Sequence, residues 1–322
     1  MDPLISIIIP CTDINDYTLQ CISYCKQLNY EHYEIILLPD KSSMEILDVK
    51  IIQTGNITPG AKRNIGITHS KGSFCAFLDS DAYPDKNWLI NSLKYFDDPD
   101  VGIVGGPGLT PTEDDNMQRI SGYILSSFMV GSIAGRYKRL KTYETEEVHS
   151  CNLITQKSLM LEVDGWNETF WPGEDSILCY IFKTKIGKKI IQANDVVVYH
   201  HRRPFVRKHL IQISKYGFNR GVLIHQLTDV SFGVKYFIPS IFTGFLFIGV
   251  LLSAFYSFFV VPFFLVFIIY SILCLMASYT EIKNPQRITT ILITIGGIFL
   301  THIFYGVNFI TGYLRKGNLD EN

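Results

Sequence analysis

The chain has 322 residues, of which 47% are hydrophobic, and a formal net charge of -1 at pH 7. This length exceeds that of one ordinary domain, so at least two parts are expected. A nearly balanced charge indicates neither a nucleic acid nor an acidic protein as partner. The seven cysteines are scattered without the spacing of a zinc site, which predicts reduced, buried thiols.

The first third of the chain alternates apolar runs with helical patterns. Strands are predicted at residues 4–9, 33–38, 73–78 and 101–104, with helices at 17–28, 61–67 and 86–96 between them. This alternation predicts an α/β fold with a doubly wound, mostly parallel sheet, in which ligands bind beyond the carboxyl ends of the strands. Four acidic residues follow or lie close to these ends and should gather at one edge: Asp13, Asp40, Asp79 and Asp81.

The pattern is less regular after residue 110. Residues 110–135 contain many Gly and Ser and predict a loop and a helix that close over the site. A helix is predicted to begin at Glu174, after Pro172-Gly173. Residues 196–199 predict a strand that leads into His200-His201-Arg202-Arg203.

Two long stretches predict membrane-spanning helices. Neither residues 236–280 nor residues 288–314 contain a charged side chain. About 20 apolar residues cross the hydrocarbon core, so the first stretch fits two spans and the second fits one. A hairpin turn at Pro262, with Tyr256 and Ser257 nearby, would separate the first two spans. Lys283 and Arg287 favour a cytosolic loop, yet Arg315 and Lys316 would then lie outside, so the side of the C-terminus stays open.

The segment before the first span, residues 205–234, is amphipathic and basic, which predicts a helix on an anionic membrane surface. The opening residues lack the features of a signal peptide, so we expect the α/β domain to be cytosolic, at a bacterial or archaeal plasma membrane. The predicted parts are a cytosolic domain (1–204), the interfacial segment (205–234), the transmembrane helices (235–314) and a tail (315–322).

Asp79-Ser80-Asp81 is the clearest candidate for a metal site. Two carboxylates at positions i and i+2 can jointly hold Mg²⁺ or Mn²⁺, and such an ion neutralises charge on a diphosphate leaving group. The pattern alone is more often a solvated turn. Here it ends an apolar strand, and other acidic residues end neighbouring strands.

Five segments, in this order and spacing, resemble the family 2 inverting glycosyltransferases, whose fold is called GT-A. They are ISIIIPCTD, EIILLPDKS, PGAKRNIGI, FCAFLDSDAYPDKNWL and WPGEDSIL. The resemblance covers about residues 3–205, and the last third resembles the subset of the family that carries C-terminal membrane helices. It implies a UDP-, GDP- or dTDP-linked sugar donor, a lipid-linked or saccharide acceptor used in glycan or polysaccharide assembly, and Mg²⁺ or Mn²⁺ as cofactor.

The resemblance also implies roles for individual residues. Asp81 is implied as the main metal ligand, Asp79 as a ligand of ribose or metal, and Asp175 as the general base, with Glu174 on the acceptor side. The residues implied to contact the nucleotide or diphosphate are Pro10, Thr12, Asp13, Asp40, Lys62 and Arg63. The family usually has Asn-Glu where this chain has Thr12-Asp13, and a second Asp where it has Pro39.

Several of these residues have structural alternatives. Asp40 can be a turn residue that caps the next segment, and Lys62 and Arg63 can be exposed helix charges. Capping and the helix dipole alone also favour acids at Glu174 and Asp175. Trp166 and Trp171 can stack on sugar rings or pack in the core.

The His200-His201-Arg202-Arg203 segment has two interpretations. Either His200 or His201 completes the metal shell while Arg202 and Arg203 hold the diphosphate, or the cluster meets lipid phosphates.

The residues together predict a single displacement that inverts the anomeric centre, with a carboxylate removing the proton of the acceptor hydroxyl. If a lipid phosphate is the acceptor, its oxygen is already ionised and Asp175 need not act as a base. A membrane-anchored protein that binds nucleotide-sugar without turnover is the alternative of another class.

Overall fold

The structure is a computed structural model of the chain. It describes residues 2–225, 227, 236–282 and 288–315, with the backbone alone at residues 131–134. The described residues form two compact units, one from residues 2–111 and 138–201 and one from residues 112–137 and 202–315. The predicted boundaries at residues 204 and 234 cut the chain differently, since residues 112–137 pack with the second unit. Lys283, Arg287 and Lys316, which bear on the orientation of the spans, lie outside the described residues.

The elements are numbered in chain order. The strands are β1 (Ile5–Pro10), β2 (Tyr33–Leu38), β3 (Val49–Ile51), β4 (Phe74–Leu78), β5 (Ala82–Pro84), β6 (Val101–Gly105), β7 (Gly108–Leu109), β8 (Tyr143–Glu144), β9 (Asn152–Gln156), β10 (Lys189–Gln192) and β11 (Val198–His200). The helices are α1 (Asp16–Cys25), α2 (Pro59–His69), α3 (Trp88–Leu93), α4 (Asn116–Ser126), α5 (Lys157–Glu162), α6 (Glu174–Thr184), α7 (Arg207–Ile224), α8 (Ile238–Phe255), α9 (Val260–Glu281) and α10 (Ile288–Leu314). Short 3₁₀ helices lie at Lys94–Asp97, Phe128–Arg136 and Ser257–Phe259.

The first unit is built on an eight-stranded sheet in the order β3-β2-β1-β4-β9-β6-β10-β8. Strands β1, β2, β3 and β4 are parallel, and β10 is parallel to β6. Strand β9 lies antiparallel between β4 and β6, a position that the sequence pattern did not predict. A second sheet, in the order β5-β11-β7, extends from the segment that follows β4.

The main sheet is covered on both faces, which confirms the predicted doubly wound arrangement. Successive residues of a strand point to opposite faces. In β1, Ile7 and Ile9 belong to one apolar cluster and Ile8 belongs to another, and all three are fully buried. Helix α2 contributes Ile67 to the same cluster as Ile8. The sheet therefore presents its carboxyl edge, rather than a face, for binding.

The second unit combines α4 with α7, α8, α9 and α10. Ile120 and Ile124 of α4 are buried in one apolar cluster with Phe205, Cys274 and Ile298. This packing explains why residues 112–137 separate from the domain to which the sequence pattern assigned them.

Helices α7 and α10 touch through their backbones. A Cβ atom added to Gly221 would lie 2.2 Å from the carbonyl oxygen of Phe309, and one added to Gly312 would lie 2.0 Å from that of Phe218. Only glycine allows so close an approach. Helix α7 is therefore fixed along α10, and its exposed residues include Arg207, Lys208 and Lys215.

Among the described residues, three helices are long and apolar enough to cross a membrane: Ile238–Phe255, Ser257–Glu281 and Ile288–Leu314. They agree with the three predicted spans. The turn between the first two lies at Tyr256 and the following 3₁₀ helix, whereas Pro262 lies in the first turn of α9. The turn thus lies at the predicted Tyr256 and Ser257. Pro262 belongs to the next helix, where a proline in the first turn needs no partner for its nitrogen.

Candidate functional site

Lys62 ties the carboxyl ends of β1 and β2 together. Its ammonium donates to the Cys11 carbonyl oxygen over 2.5 Å and forms an ion pair with Asp40. The Asp40 N–H donates to the Thr12 carbonyl oxygen over 3.1 Å, which places these two predicted site residues side by side. Lys62 is only 4% exposed, so the alternative of a solvated helix charge is wrong.

The other residues predicted at this edge differ in exposure. Thr12 and Asp13 are exposed in the turn that leads into α1, and Asp40 is partly exposed. Pro10 is buried as the last residue of β1. A ligand can therefore contact the side chains of Thr12, Asp13 and Asp40, whereas Pro10 is buried.

Arg63 connects two further carboxylates. Its Nη2 lies 2.8 Å from Asp79 Oδ1, and its Nη1 lies 2.8 Å from Glu174 Oε1. The side chain is 2% exposed, and its guanidinium carbon lies 4.8 Å from the centre of the Trp166 ring. Burial by itself lowers the pKa of Arg63, but Asp79 and Glu174 outweigh burial and raise it. The guanidinium therefore stays charged and balances both carboxylates.

Asp79, Asp81 and His200 form a cluster in which one ligand atom from each residue lies within 4.8 Å of the others. Strand β5 begins directly after Asp81 and pairs antiparallel with β11, with His200 opposite Ala82. His200 Nε2 consequently lies 3.1 Å from Asp81 Oδ1. Strand β11 thus brings a ring nitrogen to the carboxylate of Asp81, which lies 119 residues earlier in the chain.

His201 takes a different position from His200. Its Nε2 lies 2.8 Å from Gln20 Oε1, and its ring lies against Tyr17 with 4.3 Å between centroids. Of the two histidines that the sequence left open, the geometry favours His200 as a metal ligand.

The cluster fits a divalent cation. Carboxylate oxygens suit Mg²⁺ and Mn²⁺, and an imidazole nitrogen is a common ligand of transition metals. Three protein ligands leave positions for oxygens of a substrate. Burial alone lowers the pKa of His200, but Asp81 and Cys151 raise it to about 10. Only a neutral imidazole binds a metal, so a cation entering this cluster would displace the proton of His200. Arg63 supplies a positive charge beside Asp79.

Glu174 and Asp175 form the first turn of α6, where the helix dipole favours carboxylates. Glu174 is buried: besides its ion pair with Arg63, its Oε2 accepts a hydrogen bond from the Gly173 N–H over 3.1 Å. Asp175 is partly exposed, and its Oδ1 accepts from the Ser176 N–H over 2.8 Å. The resemblance implied a place for Glu174 on the acceptor side. Its Oε1 is paired with Arg63, and a contact with substrate stays a prediction.

The two candidate tryptophans have separate environments. Trp166 is 2% exposed and packs edge-on against Phe77, with 4.9 Å between ring centroids. Trp171 is 51% exposed, three residues before Glu174. Trp166 therefore belongs to the core, whereas Trp171 is exposed, and its stacking on a sugar stays a prediction.

Asn64 is a residue of this region that the sequence reasoning missed. Its side chain accepts a hydrogen bond from the Trp166 N–H over 2.8 Å and donates to the Trp166 carbonyl oxygen over 2.9 Å. At the start of the same helix, a Cβ on Gly60 would lie 2.2 Å from the Asn167 carbonyl oxygen. Gly60, Arg63 and Ile67 share one buried stripe of α2, and that helical spacing could have indicated the burial of Arg63.

In the second unit, Arg202 and Arg203 differ sharply in exposure. Arg202 is 5% exposed, with its guanidinium carbon 4.8 Å from the centre of the Tyr137 ring. The backbone N–H of Arg202 donates to Asp114 Oδ2 over 3.1 Å. Arg203 is exposed. The phosphate contacts predicted for this pair stay predictions.

Known proteins resemble this chain in both sequence and fold. The sequence model of glycosyl transferase family 2 matches residues 6–161. The pre-mycofactocin glycosyltransferase of Mycobacterium tuberculosis is 29% identical over 160 residues, which are 49% of this chain and 33% of that protein. The chain thus matches about a third of the length of this relative.

Two archaeal proteins match over longer stretches. One is the Methanococcus voltae dolichyl N-acetyl-alpha-D-glucosaminyl phosphate 3-beta-D-2,3-diacetamido-2,3-dideoxy-beta-D-glucuronosyltransferase, 24% identical over 69% of this chain and 74% of that protein. The other is a solved structure, the mannosyltransferase PcManGT from Pyrobaculum calidifontis in complex with GDP-Man and Mn²⁺. Its TM-score is 0.58 at 14% identity, with 99% of this chain and 89% of that chain covered. At that identity the likeness concerns the fold alone.

The strand order, the acidic edge of the sheet and these matches agree with one another. Residues 6–161 match the model of glycosyl transferase family 2, the described residues have a GT-A fold, and three of their helices are long and apolar enough to span a membrane.

Proposed function

We propose that the protein is an inverting, metal-dependent glycosyltransferase that moves a sugar from a nucleoside-diphosphate sugar to a membrane-associated acceptor. The observation that carries this proposal is the cluster of Asp79, Asp81 and His200 at the carboxyl edge of a GT-A sheet. The cytosolic side of the membrane is the proposed location of this domain.

The donor is proposed to bind along the edge formed by β1, β2 and β4. Thr12, Asp13 and Asp40 offer oxygen acceptors to the nucleoside, and Lys62 keeps Asp40 in place beside the end of β1. Asp79, Asp81 and His200 would hold Mg²⁺ or Mn²⁺, which supplies positive charge to the departing diphosphate. The structure of PcManGT, a protein of similar fold, contains Mn²⁺ together with GDP-Man, which supports this assignment.

Asp175 is the proposed general base. It lies in the first turn of α6 and is partly exposed, unlike its neighbour Glu174. In a single displacement, the acceptor oxygen forms a bond to the anomeric carbon while the bond from that carbon to the diphosphate oxygen breaks. Asp175 takes the proton of the acceptor hydroxyl, and the nucleoside diphosphate leaves with the electron pair of the broken bond. Trp171, exposed nearby in sequence, offers a ring face to the acceptor sugar.

A polyisoprenyl-linked sugar is the proposed acceptor. Three apolar helices long enough to span a membrane support an acceptor held in the lipid. The name of the Methanococcus voltae relative describes transfer to a dolichyl-linked sugar phosphate. A bare polyisoprenyl phosphate is the second candidate, since it would suit the same membrane location.

The test uses the full chain in lipid nanodiscs with UDP-, GDP- and dTDP-sugars. Release of nucleoside diphosphate is measured with Mn²⁺, Mg²⁺ or EDTA, and with a polyisoprenyl-linked sugar or a polyisoprenyl phosphate as acceptor. We expect one donor to be consumed in a metal-dependent manner with the lipid-linked sugar.

The variant Asp175→Asn separates the two acceptors. It should abolish transfer to a hydroxyl while leaving donor binding unchanged, because only the proton acceptor is lost. Undiminished transfer by this variant to polyisoprenyl phosphate would favour the second candidate. Donor binding without turnover by the wild-type protein, whatever lipid is supplied, would refute the enzymatic proposal.

A further inference from the structure

Arg63 joins the metal cluster to the helix that carries Asp175. Its two terminal nitrogens contact different carboxylates, Asp79 on the loop after β4 and Glu174 on α6, each at 2.8 Å. Along the chain these partners lie 16 and 111 residues away from it. We propose that Arg63 is a positioning residue that fixes Asp79 and the first turn of α6 relative to each other. The inference rests on the proposed function of Asp79 and Asp175.

The gain in fold stability from a buried Arg63 is too small to explain this arrangement. A guanidinium that is 2% exposed loses its hydration, and the attraction of its partners often no more than offsets that cost. Apolar side chains of similar volume commonly stabilise a core as well or better. What an apolar core does not provide is a fixed direction. The planar guanidinium holds its two nitrogens at a set distance and angle, so it fixes two carboxylates at once.

Helix α6 needs such an anchor at its start. The residue before it is Gly173, with φ at +125°, which has no side chain to cap the helix. The Glu174 carboxylate instead fixes this end of the helix, because Oε2 accepts from the Gly173 N–H while Oε1 is held by Arg63. Any movement of the Arg63 guanidinium therefore moves the first turn of α6, and with it Asp175.

The residues on either side of Arg63 hold this part of helix α2 in place. Asn64 is bonded to both backbone groups of Trp166, and Lys62 bridges the ends of β1 and β2. The Arg63 guanidinium also lies over the Trp166 ring. Three consecutive side chains of one helix thus position the nucleoside edge, the metal cluster and the approach to α6.

Two variants dissect the contact. Glu174→Gln weakens only the contact between Arg63 and α6. Arg63→Lys retains the positive charge but cannot hold two carboxylates at once, so it disturbs the contacts with both Asp79 and Glu174. We expect Glu174→Gln to lower kcat by about 10- to 100-fold with little change in the Mn²⁺ concentration for half-maximal rate, since partners in the outer shell have effects of this size. Arg63→Lys should lower kcat to a similar extent and also raise that Mn²⁺ concentration about 10-fold.

The double variant should be no slower than Arg63→Lys within about twofold, because both changes act through one contact. Lys183→Met is the matched control, since it removes an ion pair of the same helix, with Glu146, outside this network. The control should retain the wild-type kcat and Mn²⁺ dependence. Additive losses in the double variant, or an Arg63→Lys protein with wild-type kinetics, would overturn the proposal.

Hydrogen exchange tests the positioning without relying on turnover. Amides of residues 173–178 should exchange faster in Arg63→Lys and in Glu174→Gln than in the wild type, while Lys183→Met should leave them unchanged. Unaltered exchange in the first two variants would refute the role of Arg63 even if no sugar transfer is found. If the wild type showed no metal-dependent turnover, that result would count against the proposed function but not against the positioning role of Arg63.

Discussion

Lowering the pH should destabilise the second unit through one buried histidine. His209 of α7 is fully buried, and burial lowers the pKa of its imidazole from 6.5 to about 4. Its ring nitrogens lie 2.7 Å from Ser121 Oγ and 3.0 Å from Thr301 Oγ1. Both partners are neutral hydroxyls, so nothing in this pair of contacts compensates a positive charge on the ring.

The sign and size of the effect follow from these pKa values. The unfolded chain takes up the proton near pH 6.5, whereas the folded protein resists it until about pH 4. The contribution of neutral His209 is therefore complete above pH 6.5 and is lost progressively as the pH falls towards 4. The full loss is about 3 kcal/mol, and about 2 kcal/mol of it should have occurred by pH 5.

Thermal unfolding in mild detergent at pH 7.5 and pH 5.0 measures this loss. The matched variant is His209→Gln, whose amide can still meet Ser121 and Thr301 but does not titrate. Other groups contribute to the pH dependence of both proteins, so the quantity of interest is the difference between them. The wild type should lose several degrees more than the variant, on the order of 5 °C for about 2 kcal/mol. Equal losses in the two proteins would refute a buried neutral His209.

Two further pairs of substitutions, each with its control, test packing and charge. Gly221→Leu should lower the melting temperature, because even a Cβ there would overlap a carbonyl of α10, whereas Gly244→Leu should have little effect since nothing lies within 4 Å of a Cβ at that position. Melting of both variants in the same detergent decides this, and equal melting temperatures would contradict the close contact. Lys62→Met should cost about 3 kcal/mol and weaken donor binding, because it leaves Asp40 without its buried cation. Lys94→Met, which removes a solvent-exposed ion pair, should cost less than about 1 kcal/mol; similar losses would argue against a special role for Lys62.

The parallel strands could be predicted because burial on both faces leaves a simple pattern. Residues of β1, β2, β4 and β6 are almost all apolar, and each run ends in polar or small residues. Strand β9 carries no such signal. Its sequence, NLITQ, begins and ends with polar residues, and its place beside β4 depends on the pairing of residues 152–156 with residues 74–78, far away in the chain.

The sequence predicted which residues gather at the site better than it predicted which of them contact one another. Strand ends placed Asp40, Asp79 and Asp81 at one edge of the sheet, as parallel topology requires. The partner of Glu174, by contrast, comes from a helix 111 residues earlier, and no local pattern encodes that distance. The choice between His200 and His201 likewise depended on the register of β11 against β5, which only the folded chain reveals.

The central claim is that Asp79, Asp81 and His200 hold a divalent cation that sugar transfer requires. The most direct measurement compares nucleoside diphosphate release by the wild type and by Asp81→Asn in lipid nanodiscs, in EDTA and after addition of Mn²⁺ or Mg²⁺. We expect EDTA to abolish release by the wild type and either Mn²⁺ or Mg²⁺ to restore it. Asp81→Asn should be slower by about 10³-fold at an unchanged melting temperature, equivalent to about 4 kcal/mol of transition-state stabilisation. Turnover by the wild type in EDTA, or near-normal turnover by Asp81→Asn, would contradict the claim.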